Sequence, residues 1–193
     1  SLALMAALLS KETAAGALAV AGVVLVLRVA QGKRPSRAVV AAFALFAVTF
    51  VVYLVARRGA LGVLSSSTGA WIRDRRATVL LPTVARIFAD YWKIVLVPYP
   101  LRVDYSNYTV SDSVLDPRAL ASFAVHALLF AVAFVLRKRR PVITLCILAF
   151  YAALLPVSHV LPFREIKAER FLYIPSVFAC VLVVAVLSLI HIS

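Results

Sequence analysis

Apolar residues in this chain fall into blocks separated by short polar breaks that are rich in arginine. An α-helix needs about 20 apolar residues to cross a hydrocarbon core of roughly 30 Å. Charge-free blocks that meet or approach this length are found at 13–27, 38–56, 119–136, 142–157 and 171–190. The pattern therefore predicts an all-α integral membrane protein, a polytopic helix bundle with about five crossings.

Composition supports this prediction and excludes one class of partner. Hydrophobic residues make up 64% of the chain and charged residues only 15%, against about 45–50% and about 25% in an average soluble domain. The net charge of +13 would suggest nucleic acid in a soluble protein, but membrane loops and anionic lipid head groups account for it here. We expect no nucleic-acid partner. Cys146 and Cys180 lie inside apolar blocks and are predicted to be packing residues, so no metal site is expected from them.

The sidedness of the crossings follows from two tight basic loops. Arg28, Lys33, Arg34 and Arg37 flank one break, and the run 137–140 consists of basic residues only. Short loops rich in Lys and Arg stay in the cytoplasm. Segments 57–118 and 158–170 are then predicted to be non-cytoplasmic, although the nine basic residues of 57–118 strain this assignment. Long segments are translocated largely regardless of charge, so the assignment stands.

Within the first outer segment, the apolar stretch 79–97 is interrupted by Pro82, Arg86, Asp90 and Lys93. The three charged residues would share one face of a helix, where Arg86 and Asp90 can form an i, i+4 pair worth about 0.2–0.5 kcal/mol. A helix with such a charged face is predicted to lie in the membrane interface rather than to span the bilayer.

The second outer segment contains the most concentrated charges of the chain. If 162–176 is a short helix, Arg164, Lys167 and Arg170 share one side, and Glu165 and Glu169 lie on the other. Neighbours three or four residues apart then have like charges, so this segment needs counter-charges from elsewhere. A lipid phosphate is one source. The alternative is that the basic residues reach ordinary head groups while the glutamates face water.

Other polar residues are weaker candidates. Lys11 and Glu12 lie at or just inside an apolar helix, where ionisable groups either pair in a functional cavity or mark the helix end. Asp104, close to Arg102, is a candidate base or metal ligand, although a single loop aspartate is more often only solvated. His159 is the histidine closest to the charged junction, whereas His126 lies in an apolar span and is predicted to pack or to form a hydrogen bond to a helix.

Three motifs carry a family resemblance. They are Leu8-Leu-Ser-Lys-Glu12, Arg102-Val-Asp-Tyr-Ser106, and the run from Leu155 to Ser176. This run contains the charged stretch Pro162-Phe-Arg-Glu-Ile-Lys-Ala-Glu-Arg170 and ends in Phe-Leu-Tyr-Ile-Pro-Ser176. In this order they resemble the transmembrane and tetratricopeptide repeat-containing O-mannosyltransferases and their bacterial relatives. The third motif is the most specific. Positions that match the motifs and carry candidate chemistry are Lys11, Glu12, Arg164, Glu169 and Arg170.

The resemblance implies a GT-C type fold that uses a lipid-linked sugar donor such as dolichyl phosphate mannose. It implies transfer of the sugar to a Ser or Thr hydroxyl, in the endoplasmic reticulum membrane of a eukaryote or the plasma membrane of a bacterium. The catalytic acidic residue of the family lies in its first outer loop, which would precede Ser1. The repeats that bind the protein acceptor would follow the last helix. We therefore expect an internal fragment that is inactive alone, with no assigned metal requirement.

The predicted function is that of a membrane glycosyltransferase. In this prediction Arg164, Lys167, Arg170 and Lys11 bind the donor phosphate, supported by other polar residues of the outer segments: Glu12, Glu169, His159, Arg102 and Asp104. Positive charge at that point stabilises the departing lipid phosphate. The alternatives are a transporter or flippase of lipid-linked sugars, which would bind the same phosphate without chemistry, and a polyprenyl-diphosphate glycan ligase.

Overall fold

The structure is a computed structural model that describes residues 15–61, 77–102, 105, 107–159 and 165–192. All regular secondary structure in these ranges is helical, which confirms the all-α prediction. The helices in chain order are α1 (Ala15–Ala30), α2 (Arg37–Leu61), α3 (Ala77–Leu96), α4 (Pro117–Leu136), α5 (Pro141–Leu154) and α6 (Tyr173–Ile192). Short 3₁₀ helices cover Leu155–Val157 and Glu169–Leu172.

Three stretches of helix in the described ranges are long and apolar enough to cross a membrane: Arg37–Gly59, Pro117–Leu136 and Glu169–Leu189. Two apolar stretches, Ala15–Ala30 and Pro141–Val157, are shorter. The described residues of all five predicted blocks therefore lie in helices. Three of these blocks meet the length of a full crossing within the described residues, so the count of five crossings stays a prediction.

Proline and glycine mark several helix boundaries. Asp116 is the N-cap of α4 and Pro117 follows it, while Pro141 opens α5. The fixed backbone angle of proline and its missing N–H suit the first turn of a helix. Gly32 follows α1 with φ of 74°, a left-handed conformation that glycine adopts without steric cost. These boundaries place the run 137–140 directly between two helices, and in the other basic loop they place Lys33 and Arg34 between helices, with Arg28 in the last turn of α1 and Arg37 at the start of α2.

Helix α5 lies at the centre of the bundle, in contact with α1, α4 and α6. Its crossing with α1 is close, since a Cβ atom on Gly16 would lie 2.8 Å from the carbonyl oxygen of Ala153. Helix α3 packs along α4 and reaches the 3₁₀ helix Glu169–Leu172. Helix α2 contacts α1 and keeps most of its apolar side chains exposed, as expected of a surface that faces lipid or another part of a protein.

An aromatic and histidine cluster joins α3, α4 and α5. The ring of Trp92 stacks on Phe150 with centroids 3.9 Å apart. On α4, Nε2 of His126 lies 2.8 Å from the carbonyl oxygen of Ala85, and Nδ1 lies 2.7 Å from the Tyr151 hydroxyl. The prediction that His126 forms a hydrogen bond to a helix is confirmed. The predicted interfacial helix is thus anchored to the bundle through its buried face.

Candidate functional site

Two parts of the chain that are distant in sequence meet at one end of the bundle. One comprises the last turns of α3 and the described residues of 97–116 that follow them, and the other is residues 165–172 before α6, which gives three stretches in all. Side chains from all three, together with the backbone N–H of Arg102, form hydrogen bonds and an ion pair that converge on residues 167–169. We call this set the polar cluster, and its members are Asp90, Tyr91, Arg102, Tyr105, Tyr108, Lys167 and Glu169.

An ion pair between a buried lysine and a partly exposed aspartate lies at the centre of the polar cluster. Nζ of Lys167 donates to Oδ2 of Asp90 at 2.9 Å, across 77 positions of sequence. The lysine side chain is 5% exposed and the aspartate side chain 39% exposed. Nearly complete burial of an ammonium group requires a hydrogen-bonded counter-charge, which Asp90 supplies. The pair fixes residues 165–168 against α3.

Tyrosine rings surround the Lys167 ammonium. Its Nζ lies 4.7 Å from the ring centroid of Tyr105, 5.4 Å from that of Tyr108 and 5.9 Å from that of Tyr91. Cations are attracted to aromatic faces within about 6 Å, and more strongly when water is excluded. The Tyr108 hydroxyl also donates to Oδ2 of Asp90 at 3.0 Å. The rings therefore stabilise the lysine while one hydroxyl helps to orient its partner.

Glu169 ties the segment after α3 to the 3₁₀ helix before α6. Its Oε1 accepts from the hydroxyl of Tyr105 at 2.6 Å and from the backbone N–H of Arg102 at 2.7 Å. Burial, together with this hydrogen bond to a carboxylate, raises the pKa of Tyr105 to about 12. Burial and the Asp90 carboxylate raise the pKa of Tyr108 as well. Both phenols therefore act as hydrogen-bond donors at neutral pH.

Next to the ion pair is an open cleft of about 200 Å³. Its wall contains side chains from all three stretches: Asp90, Lys93, Ile94, Tyr99, Pro100, Arg102, Tyr105, Tyr108 and Lys167. Since Lys167 is paired with Asp90, the positive charges of Lys93 and Arg102 are left over. Both of these side chains are exposed, and neither pairs with a carboxylate of the described residues. The cleft is therefore suited to an anion.

A second network braces the segment that leads into α4. Nη1 of Arg86 donates to Oγ of Ser111 at 2.7 Å and lies 3.4 Å from Oδ2 of Asp116. Ser111 in turn donates to Asp116 at 2.8 Å, and its backbone N–H donates to Oγ1 of Thr83. The predicted pair between Arg86 and Asp90 is wrong, because each residue has a partner outside α3. Long-range partners displaced the local pair.

Asp116 also caps α4, since its Oδ1 accepts from the backbone N–H of Arg118 at 3.0 Å. The hydrogen bonds from Ser111 and from this N–H hold the pKa of the Asp116 carboxyl below its ordinary value. A carboxylate at a helix N-terminus is stabilised by the exposed N–H groups and by the helix dipole. This brace positions the Tyr105–Tyr108 region over the cleft.

His159 lies below the charged junction and is 5% exposed. Its backbone has φ of 61°, and its Nε2 donates to the carbonyl oxygen of Ile166 at 2.9 Å. Burial lowers the pKa of the imidazole. A neutral, buried ring in this position fixes the conformation of the junction. It connects the end of α5 to the residue that precedes Lys167.

The charged junction itself differs from its predicted form. Of its described residues before α6, 165–168 are not helical, and the 3₁₀ helix Glu169–Leu172 follows them. Arg170 forms an ion pair with Glu165, five positions away. The expectation that this segment has no internal pair is therefore wrong, because it was based on helical spacing. Lys167 nevertheless takes its counter-charge from outside this segment, since it pairs with Asp90 of α3.

The predicted site residues divide into three groups. Lys167, Glu169 and Arg102 meet in the polar cluster, whereas Arg170 is exposed beside Glu165 and His159 is buried next to Ile166. The remaining four lie outside the described residues: Lys11, Glu12, Asp104 and Arg164.

Sequence reasoning did not select Asp90, Lys93, Tyr105 and Tyr108 as site residues. Two features of the sequence indicate that this region is a site. Ionisable residues inside an apolar helix usually pair or line a cavity, and a tyrosine-rich stretch follows α3. The sequence does not indicate the partner of Asp90, since Lys167 lies 77 positions away.

In the part of the chain that the structure describes, no group of three or more His, Cys, Asp or Glu side chains is arranged to hold a metal ion. Comparison of the chain with protein-family models, with curated proteins and with solved structures gave no match.

Proposed function

We propose that this chain belongs to a membrane glycosyltransferase that moves a hexose from a polyprenyl phosphate to a Ser or Thr hydroxyl on the non-cytoplasmic side. In this proposal α1, α2, α4, α5 and α6 are five crossings of a GT-C type bundle, and α3 lies in the interface. The observation that carries the proposal is the cleft beside Lys93 and Arg102, at the end of an apolar bundle. A polar, cationic pocket next to apolar helices suits a ligand with an anionic head and a lipid tail.

Charge matching supports a phosphate as the ligand. A hexosyl polyprenyl phosphate is a phosphodiester with one negative charge, and the departing polyprenyl phosphate gains a second. The guanidinium of Arg102 can hold two phosphate oxygens at once, and Lys93 adds a point charge. Positive groups that meet charge as it develops lower the barrier to transfer. The two cations at the cleft therefore match the leaving group better than the ground state.

The reaction balances as a single displacement. The acceptor oxygen attacks the anomeric carbon, the bond from that carbon to the phosphate oxygen breaks, and its electron pair leaves with the polyprenyl phosphate. The acceptor proton passes to a carboxylate, which we expect N-terminal to Ser1. Lys167 serves this site by holding Asp90 in place, while Arg170, Arg164 and Lys11 are further candidate phosphate ligands.

The test uses membranes that contain the intact protein and a radiolabelled polyprenyl phosphate hexose. We expect label to enter protein in a form released by alkaline β-elimination, which is diagnostic of a Ser or Thr linkage. The substitution Arg102→Gln is expected to lower this incorporation about 10- to 100-fold, since a charge-assisted hydrogen bond contributes about 1.5–3 kcal/mol.

The matched control is Arg139→Gln, an exposed arginine in the turn between α4 and α5, which should leave incorporation unchanged. Equal activity of the two variants would contradict the assignment of the cleft. If the labelled lipid crosses the bilayer and is recovered intact, with no label in protein, the chain is a transporter and the proposed chemistry is wrong. Label that enters a lipid-linked glycan instead would indicate the ligase.

A further inference from the structure

The size of the cleft limits what can fill it. At about 200 Å³, it is smaller than the roughly 300–1,000 Å³ of pockets for drug-sized ligands. A cleft of this size suits one small head group, with the rest of the ligand outside it. Its exposed cations suit a phosphate, but a phosphate alone does not explain why a carboxylate and aromatic rings share the wall.

Asp90 has hydrogen-bonding capacity left on its cleft side. Both protein donors, Lys167 and Tyr108, bind Oδ2. Its Oδ1 accepts no hydrogen bond from the described residues, and the side chain is 39% exposed. A carboxylate has about four acceptor positions on its two oxygens. Asp90 is thus a fixed acceptor that can receive hydroxyl donors from a ligand in the cleft.

The charge of Asp90 does not repel an anion that enters. The positive charge of Lys167 compensates the negative charge of Asp90, while Lys93 and Arg102, which line the same cleft, remain positive. The aromatic rings add apolar faces to the same wall, and the ring of Tyr99 is largely exposed, with 77% of its surface accessible. A ligand with hydroxyls, an apolar ring face and one phosphate would satisfy all of these groups together.

We propose that the cleft is the subsite for the glycosyl phosphate head of the donor, in which Asp90 accepts hydrogen bonds from sugar hydroxyls and the Tyr99 ring covers the sugar. Lys93 and Arg102 bind the adjoining phosphate. This inference rests on the proposed function, and it adds that the hexose is recognised by this chain. Lys167 is a positioning residue for Asp90.

The experiment measures the affinity of the intact protein, in nanodiscs, for dolichyl phosphate mannose and for dolichyl phosphate. Asp90→Asn is expected to weaken binding of the mannosyl lipid about tenfold, since it removes charge from the acceptor. The same substitution should leave dolichyl phosphate binding unchanged or stronger, because it also releases the charge of Lys167. A folding defect would weaken the binding of both lipids, so a loss of affinity confined to the mannosyl lipid is diagnostic.

Tyr99→Leu provides a second variant at an exposed position. It should lower the affinity for the mannosyl lipid several-fold and leave the affinity for dolichyl phosphate within twofold of wild type. The matched controls are Asp112→Asn and Tyr173→Leu, two exposed residues outside the cleft wall, and neither should alter either affinity.

The outcomes separate the two proposals. Binding of neither lipid would overturn the proposed function and this inference together. Binding of both lipids, with Asp90→Asn and Tyr99→Leu affecting them equally or not at all, would overturn only the inference. The selective loss of mannosyl lipid binding supports it.

Discussion

Helix α4 connects two charged ends that differ in construction. It has 20 residues and is therefore about 30 Å long, with the polar cluster near its first turn and the basic turn 137–140 after its last. At the polar cluster, Lys167 is matched to Asp90 and to tyrosine rings, while Lys93 and Arg102 line the adjoining cleft. At the basic turn, Arg137 covers the ring of Phe134 and donates to its carbonyl oxygen, and no carboxylate pairs with 137–140 in the described residues. Basic residues thus line a structured pocket at the polar cluster, whereas at the turn 137–140 they form a solvated patch.

The difference shows what the charge count of the chain means. Exposed cations without partners satisfy anionic head groups in general, which is the expected role of a cytoplasmic loop. Lys167, held among tyrosine rings against one carboxylate, is not available to bind head groups in general. Such fixed positioning is expected where a ligand has to be held in a defined geometry. We therefore expect substitutions at the polar cluster to affect stability and ligand choice, and equivalent substitutions at the basic turn to do neither.

The largest effect on stability is expected from Lys167→Met. It removes the ammonium and leaves Asp90 without its partner, which costs about 1–3 kcal/mol in the free energy of unfolding. The upper end is limited because Asp90 is 39% exposed and can regain water. Unfolding in a denaturing detergent series, followed by tryptophan fluorescence, measures the change.

Two further variants separate charge from packing at this position. The double variant Lys167→Met with Asp90→Asn should recover part of the lost stability, since no uncompensated charge remains. Lys167→Arg should retain the selectivity for the mannosyl lipid that Lys167→Met loses. If Lys167→Met destabilises the protein no more than Lys138→Met does, the two ends are energetically equivalent and the comparison fails.

Much of the bundle could be predicted from sequence because the determinants are local. Apolar blocks, Pro117 and Pro141 specify helices through spacing and backbone geometry alone. The candidate site could not be predicted in the same way, because its contacts are not local. The Tyr105–Glu169 hydrogen bond spans 64 positions, and helical spacing suggested the wrong partner for Arg86.

A smaller effect is expected from Asp116→Ala, at the brace between α3 and α4. Loss of the N-cap hydrogen bond lowers the free energy of unfolding. Because the pKa of Asp116 is below its ordinary value when folded, the carboxylate stabilises the protein at neutral pH, and this contribution is lost as pH falls through that lowered pKa. The difference in unfolding free energy between wild type and Asp116→Ala should therefore shrink on acidification. A difference that is independent of pH down to acid unfolding would contradict the role of the charge.

The most direct test of the central claim compares matched lysines at the two ends. Affinity for dolichyl phosphate is measured for the intact protein and for Lys93→Gln and Lys138→Gln, both exposed lysines, at one fixed salt concentration. If the cleft binds the phosphate, we expect about tenfold weaker binding by Lys93→Gln. The affinity of Lys138→Gln should stay within twofold of wild type. Equal weakening by both substitutions, or by neither, would show that the phosphate is attracted only by the overall charge, and would contradict a specific site at the polar cluster.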